Sequence, residues 1–423
     1  MTSHAAIVPG ADSPELHALE SSTAFREWTA RAPGQRADRQ RAVHLATALG
    51  LDLESPAAAL GVVGSKGKGT TVAYASALLA ESGATVGTVF SPGLITNRDR
   101  LRVDGAVLPL EEYAALLERV DTALRALPEP VDGYLAPSGF FLIAGLAHFA
   151  AVGCDLLVLE AGIGGRRDDL SHVALTGLAM AEVFLEHTDL LGDTIGQIAD
   201  DKVGAARAGT RFVSHLAQSA EAEQVISRHC DEIGAERMRV DSAMRAAYAG
   251  MVGEGLGGVN AAHGLIAGRA MLAALGRAAI TDEQVRVAAS RVRYPGRLSR
   301  HDLGSSVVFV DSAVSREGFA NALRHVERET GGAPALTLVS VPSTKDLAGF
   351  RALADELTTP VVFVRLDREH LHYPTRDEWP GDWATAAELP ALLRSAPTVL
   401  AIGTASFSAD VLRHCGVDTD RVF

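Results

Sequence analysis

The stretch Gly64-Ser-Lys-Gly-Lys-Gly-Thr-Thr71 stands between a short apolar run, Ala59-Leu-Gly-Val-Val63, and an alanine-rich segment from Val72 to Glu81. The first reads as a strand and the second as a helix stopped by Ser82-Gly83. Strand, glycine turn and helix N-terminus in that order form a phosphate cradle. Backbone N–H groups converge on the anion, the helix dipole favours negative charge there, and a lysine adds a mobile cation. The strict P-loop pattern sets Ser or Thr directly after the lysine, whereas here Gly69 intervenes before Thr70 and Thr71. That disfavours an ordinary P-loop kinase or GTPase while leaving a nucleotide phosphate as the expected occupant.

Working outward, Gln40 to Leu49 reads as a helix, and Thr85-Val-Gly-Thr-Val-Phe90 as a second strand followed at once by Ser91-Pro92. A helical segment from Gly139 to Val152 precedes Asp155-Leu-Leu-Val-Leu159, an unbroken apolar run typical of a strand covered on both faces, with Glu160 at its carboxyl end. A further apolar segment, Leu178 to Leu185, delivers Glu186-His187, and a polar stretch through Ile198 carries the chain to Lys202. Such alternation predicts an α/β fold, a P-loop-type ATPase domain with a mainly parallel sheet and helices on both faces. Tyr294-Pro-Gly296 reads as a linker, after which Ser306–Val310, Ala335–Val339, Val361–Val364 and Val399–Ile402 read as strands of a smaller, Rossmann-like α/β domain. The expected domains are 1–295 and 296–423.

The chain of 423 residues is 47% hydrophobic with a net charge of -13, which suits small-molecule chemistry better than non-specific nucleic-acid binding. Cys154, Cys230 and Cys415 are too scattered for a disulfide framework or a zinc pair. Met1 to Gly10 lacks a basic segment followed by an apolar run, and no stretch of about 18 apolar residues occurs. A soluble, cytoplasmic protein is expected, monomeric and without nucleic-acid or membrane partners. Of the 39 basic residues only Lys66, Lys68, Lys202 and Lys345 are lysines. Lysine offers a compact charge of movable pKa that arginine lacks, so each of these positions draws notice.

The loop resembles that of the Mur ligase superfamily, and within it the folylpolyglutamate and dihydrofolate synthases, whose Gly-Thr-Asn-Gly-Lys-Gly-Ser-Thr is matched at Gly64, Gly67, Lys68, Gly69 and Thr71 with Ser/Thr exchanges at Ser65 and Thr70. The resemblance continues in order. Ser91-Pro92 and Asn97-Arg-Asp-Arg-Leu-Arg-Val-Asp-Gly105 are similar to the family's Ser-Pro-His segment and substrate loop. Leu159-Glu-Ala-Gly-Ile-Gly-Gly-Arg-Arg-Asp168 is similar to its Leu-Glu-Val-Gly-Leu-Gly-Gly-Arg-x-Asp motif, and His187 to Ile195 and Asp201-Lys-Val-Gly204 to two later motifs. Tyr294-Pro-Gly-Arg297 resembles the Pro-Gly-Arg hinge, with Asp311 opening the family's Asp-Gly-Ala-His-Asn-Pro segment.

The resemblance implies an ADP-forming ligase that phosphorylates a carboxylic acid with ATP and couples it to an amine such as an amino acid. It places ATP on Gly64, Ser65, Lys66, Gly67, Lys68, Gly69, Thr70 and Thr71, with Asn260 near adenine, Arg297 toward the γ-phosphate and Asp311 on the ribose. Ser91 and Glu160 are implied ligands of one Mg²⁺, and Glu160 and His187 of a second. Lys202 is implied to be carbamylated, so that an anion rather than an ammonium faces metal or phosphate. Lys68, His187, Lys202 and Arg297 are then the catalytic set.

Departures from the family pattern cluster away from the phosphates. Val314 and Ser315 replace its histidine and asparagine, Phe141 replaces a glutamate, Gly93 a histidine, and only Asn260 survives of the motif around it. Three readings follow: a folate-type ligase adding glutamate, a ligase of the same mechanism with a non-folate acid and amine, and a non-catalytic nucleotide-binding relic.

Overall fold

Eight strands rich in Val, Leu and Ala form the first sheet, running β1 (Ala58–Val63), β2 (Val86–Val89), β3 (Leu101–Val103), β4 (Ala106–Val107), β5 (Leu156–Glu160), β6 (Gly177–Met180), β7 (Phe212–Leu216) and β8 (Glu236–Val240). The computed structural model describes residues 13–423 other than 33, 131, 254, 369 and 370, so the stretch at 1–10 lies outside the described residues. The spatial order is β4-β3-β2-β5-β1-β6-β7-β8. From β2 through β8 every pairing is parallel, and β3 and β4 add an antiparallel margin. Each residue of β5 is buried, as a strand covered by helices on both faces requires.

β1 lies between β5 and β6, so the glycine loop leaves the carboxyl end of an interior strand where the chain crosses from one side of it to the other. Open parallel sheets bind ligands at that kind of position. The helix after the loop is Lys68–Ala80, a turn longer than the alanine pattern from Val72 indicates. Gly67 is the reason: at φ 88° it turns the chain in the left-handed region, and Lys68 to Thr71 become the first helical turn.

The helix Gly255–Ala274 packs along Lys68–Ala80 with almost no space between backbones. A Cβ on Gly264 would stand 2.4 Å from the Thr71 carbonyl oxygen, and one on Gly268 would stand 2.8 Å from a Leu78 methyl. These two glycines weaken the helix intrinsically by about 1 kcal/mol each, and the close approach they permit offsets that cost.

The division into compact units falls between Arg293 and Tyr294, whereas the sequence reading set it after residue 295. The first unit also takes back Asp420–Phe423, and the second takes Leu94–Asn97. The returning residues are held by backbone bonds within the first unit, Val107 N to Asp420 O at 2.9 Å and Val422 N to Gly105 O at 2.9 Å.

The second unit holds β9 (Ser299–Asp302), β10 (Val307–Asp311), β11 (Leu336–Ser340), β12 (Val361–Arg365), β13 (Asp382–Thr385) and β14 (Thr398–Gly403), ordered β13-β12-β11-β14-β10-β9 with only β9 antiparallel. Alternate residues of its strands feed two apolar clusters, one around Val308, Leu338 and Phe407, the other around Phe309, Phe319 and Phe350. Among the described residues no helix is long and apolar enough to cross a membrane.

Gly264→Ala should lower the midpoint of thermal unfolding, corresponding to about 1–3 kcal/mol lost to overpacking in spite of the helix propensity gained. An unchanged melting curve would mean that the two helices can separate at no cost.

Candidate functional site

Two ammonium groups meet on one oxygen at the mouth of the glycine loop. Lys68 Nζ donates to the Gly64 carbonyl at 3.2 Å, and Lys202 Nζ donates to the same oxygen at 3.1 Å. Lys202 is almost fully buried, on the helix Ile195–Val203 that starts from the Thr194/Gln197 capping box. Its amine also forms an ion pair with Glu186 Oε1 at 2.8 Å. Burial pulls the Lys202 ammonium below the ordinary lysine range and Lys68 adds to the pull, while Glu186 opposes it. Burial alone would raise the Glu186 carboxyl, but Lys202 and then Lys68 outweigh it, and the group ends below its usual range. Glu186 is therefore held as an anion between cations.

The loop is held from two sides. Ser65 N donates to Glu182 O at 2.9 Å, and the Ser65 hydroxyl donates to Phe184 O at 3.3 Å and accepts from Phe184 N at 3.2 Å. These contacts explain why β6 ends at Met180 rather than continuing through Leu185: from Ala181 onward the backbone serves the loop, and an added Cβ on Gly64 would stand 2.6 Å from Ala181 Cβ. On the other side, Asn260 packs against Gly67, where any Cβ would fall within 2.3 Å of its side-chain amide, and its main-chain carbonyl accepts from the Thr71 hydroxyl at 3.2 Å. The structure thus places Asn260 on the glycine loop itself. Lys66 lies with its ammonium 5.8 Å from the centre of the Phe184 ring.

The helix bearing Lys202 is clamped by the segment after β5. A Cβ on Gly165 would stand 2.2 Å from the Lys202 carbonyl, and Asp201 accepts from Gly165 N at 2.9 Å and pairs with Arg167 at 2.6 Å. Asp168 closes this segment on itself, accepting from Gly162 N at 2.9 Å, Ile163 N at 3.1 Å and Leu170 N at 3.0 Å. The glycine-rich motif after Glu160 therefore positions Lys202.

Ser91 and Glu160 leave the ends of β2 and β5, which are paired neighbours, and Ser91 N donates to Glu160 Oε2 at 3.0 Å. His187 follows Glu186 at φ 46°, capping the short helix Thr188–Leu191. Among the described residues no three His, Cys, Asp or Glu side chains group to hold a metal by themselves. The Ser91–Glu160 contact is through the Ser91 amide; a serine hydroxyl and a carboxylate from neighbouring strand ends would suit a hard cation completed by water and phosphate oxygens, the coordination habit of magnesium. In the second unit, Leu298 N donates to Asp311 Oδ2 at 3.0 Å, setting Asp311 beside Arg297, whose guanidinium donates to Gly296 O at 2.9 Å.

Of the candidates drawn from sequence, Lys68, Lys202 and Gly64 are brought into contact, as are Ser91 with Glu160 and Gly67 and Thr71 with Asn260. The residue the motifs did not mark is Glu186. Its only sequence signal is its position, immediately before His187 at the exit of an apolar run.

The fold and this site define a two-domain α/β protein with a glycine loop at the carboxyl end of an interior strand of its larger sheet. No family model matches the chain. It is 36% identical over 197 residues to a probable bifunctional folylpolyglutamate synthase/dihydropteroate synthase of Haloferax volcanii, covering 45% of this chain and 23% of that protein. It is 36% identical over 171 residues to a dihydrofolate synthase/folylpolyglutamate synthase of Bacillus subtilis, covering 40% of this chain and 39% of the relative. The matched regions thus span less than half the length of these curated relatives. A solved structure of Mycobacterium tuberculosis folylpolyglutamate synthase complexed with ADP superposes with a TM-score of 0.77 at 18% identity, covering 94% of this chain and 99% of the other. The chain has the two-domain fold of folylpolyglutamate synthase, and the resemblance that its motifs carry extends to relatives bearing the names folylpolyglutamate and dihydrofolate synthase.

Beside the clamp, burial and then the neighbouring Asp168 push the Asp169 carboxyl up to about 8. The folded state thus holds a proton there that the unfolded chain releases near pH 4, so stability falls as pH rises between those values. Asp169→Asn, which keeps the shape of the neutral acid, should flatten the pH dependence and exceed the wild type at pH 8 by on the order of 1 kcal/mol or more. Parallel pH profiles of unfolding for the two proteins would refute this.

Proposed function

We propose that this chain is an ATP-dependent, ADP-forming ligase that joins a carboxylic acid to an amine, with a folate-like acid and an amino acid such as glutamate as substrates. The convergence of Lys68 and Lys202 on the Gly64 carbonyl carries this reading. It sets Lys68 at the helix N-terminus, where a transferring phosphoryl group needs positive charge, and brings Lys202 onto the same oxygen. The names of the sequence relatives and the structural likeness to folylpolyglutamate synthase support it.

In this mechanism the glycine loop and Lys68 hold the β- and γ-phosphates of ATP. The acid's carboxylate oxygen attacks the γ-phosphorus, and ADP leaves. The amine then attacks the carbonyl of the resulting acyl phosphate, loses a proton, and expels phosphate as the amide forms. Binding aligns the reactants, and fixed cations stabilise the charge developing on the transferring oxygens. Magnesium, two ions by family resemblance, would be held by Ser91, Glu160 and His187 and would neutralise phosphate charge. Arg297 and Asp311 are assigned to nucleotide binding on the same resemblance.

Lys202 is proposed to act as a carbamate. Burial draws its pKa down, in the direction of the neutral amine that adds to carbon dioxide, and would shield the product from solvent. A chain of this kind acts as a monomer in the cytoplasm.

A second reading, the same chemistry on a non-folate acid, is favoured by Phe141. Where the family carries a glutamate, this ring is buried with the Arg100 guanidinium 4.8 Å from its centre.

ADP release by purified protein with glutamate and either dihydropteroate or tetrahydrofolate tests the first reading, and turnover confined to other acid and amine pairs would replace it with the second. Lys68→Ala should reduce ADP release by at least a hundredfold with any true substrate; wild-type rates in that variant would remove the loop from the chemistry. Lys202→Ala should lose activity that short-chain carboxylic acids partly restore, and a complete lack of rescue would count against the carbamate.

A further inference from the structure

Arg297 stands in a turn whose backbone is held out of its relaxed shape. Gly296 and Leu298, the residues on either side of it, are both left-handed, at φ 77° and φ 52°. Glycine adopts that conformation freely, whereas leucine does so under strain because its Cβ crowds the backbone. A strained residue of this kind persists only where its surroundings over-determine it, and such residues gather where function needs a fixed geometry.

The restraints can be named bond by bond, all of them within the second unit. Gly296 N donates to Ser299 Oγ at 2.8 Å, which closes the turn around Arg297, and that hydroxyl lies 2.8 Å from His301 Nε2 on the same strand. Gly296 O accepts from Ser312 N at 3.1 Å and from the Ser312 hydroxyl at 3.1 Å, with the buried Ser408 Oγ a further 2.9 Å behind. Leu298 N donates to Asp311 Oδ2 at 3.0 Å, and the leucine side chain packs against the apolar cluster around Phe309. The Arg297 guanidinium itself rests on this turn, donating to Gly296 O at 2.9 Å with the centre of the Tyr294 ring 6.0 Å away. The shape of residues 296–298 therefore decides where the guanidinium can point, and the two serines act on that shape.

We propose that Ser299 and Ser312 are positioning residues for Arg297, which lock Gly296 and Leu298 in their left-handed backbone and so fix the direction in which the guanidinium leaves the turn. With either hydroxyl removed, Leu298 is free to relax, and a long side chain with several rotatable bonds must be ordered anew each time a ligand binds. The inference rests on the nucleotide reading above, in which Arg297 serves the γ-phosphate.

The test compares the dissociation constants of ADP and of a non-hydrolysable ATP analogue, by calorimetry on the full chain in one magnesium-containing buffer. Only the analogue carries the phosphate that Arg297 would meet. Arg297→Ala should weaken the analogue by about tenfold or more, the usual cost of a lost charged hydrogen bond, and leave ADP unchanged. Ser299→Ala and Ser312→Ala should each weaken the analogue selectively, by roughly three- to tenfold, through lost preorganisation. Ser299→Thr, which keeps the hydroxyl, should bind both ligands as the wild type does. In an Arg297→Ala background neither serine change should weaken the analogue further. Serines that only stabilise the fold would weaken both ligands alike, or weaken the analogue equally with and without Arg297, and either result would overturn the proposal. Should one serine variant fail to fold, the other carries the comparison. Silent serine variants beside a damaging Arg297→Ala would overturn the positioning role alone, whereas a silent Arg297→Ala would overturn the nucleotide role of Arg297 and the proposal with it.

Discussion

A single carbonyl oxygen, that of Gly64, organises the site. It accepts from Lys68 and from Lys202, so it fixes two cations on one side of a turn that has no room for a side chain of its own. Two ammoniums at that distance repel, and the arrangement is tenable because Glu186 supplies the compensating charge. Much of the surrounding structure serves to keep this group in register. The helix of Lys202 needs Gly165 for its close approach, Asp201 for its attachment and Asp168 to fold the intervening turn. A site built from one shared acceptor is tight but intolerant, since moving any member moves the charge balance of the rest.

The same economy explains the glycines of the first unit. Gly67 turns the chain so that the helix begins within the loop, leaving the first amides of Lys68–Ala80 without intrahelical acceptors and directed at whatever anion is present. Gly264 then lets a second helix lie against that first turn, bringing Asn260 onto Gly67. Backbone shape, rather than side-chain chemistry, thus sets where the glycine loop sits above the sheet.

The central strands were legible because burial on both faces leaves a signal no other element shares: β1 and β5 are unbroken apolar runs. β7 and β8 escaped detection because their residues answer to polar partners. Ser214 meets the His263 ring at 3.1 Å, His215 bonds to Leu216 O at 2.8 Å and accepts from Arg237, and Glu223 accepts from Arg239 at 3.0 Å. Burial holds His263 down to about 3, so this network is neutral at its centre. In β7 the buried Ser214 and His215 interrupt the apolar run, and in β8 the arginines lie on the exposed side with few apolar residues between them. At the site, lysine scarcity pointed to Lys68 and Lys202, while Glu186 was hidden because one acidic residue among 52 acquires meaning only from what lies 2.8 Å away.

Three of the positions that depart from the family pattern serve the fold where they stand. Ser315, standing where the family has asparagine, accepts from Gly318 N at 3.3 Å and caps the helix Arg316–Thr330. Val314 packs against the core of the second unit. Phe141 is buried in the first unit, in edge-on contact with Phe25 and Phe140 and beneath Arg100. Each of these three replacements does structural work where it stands. None of them touches the Gly64 carbonyl, the Ser91–Glu160 pair or the clamp on Lys202.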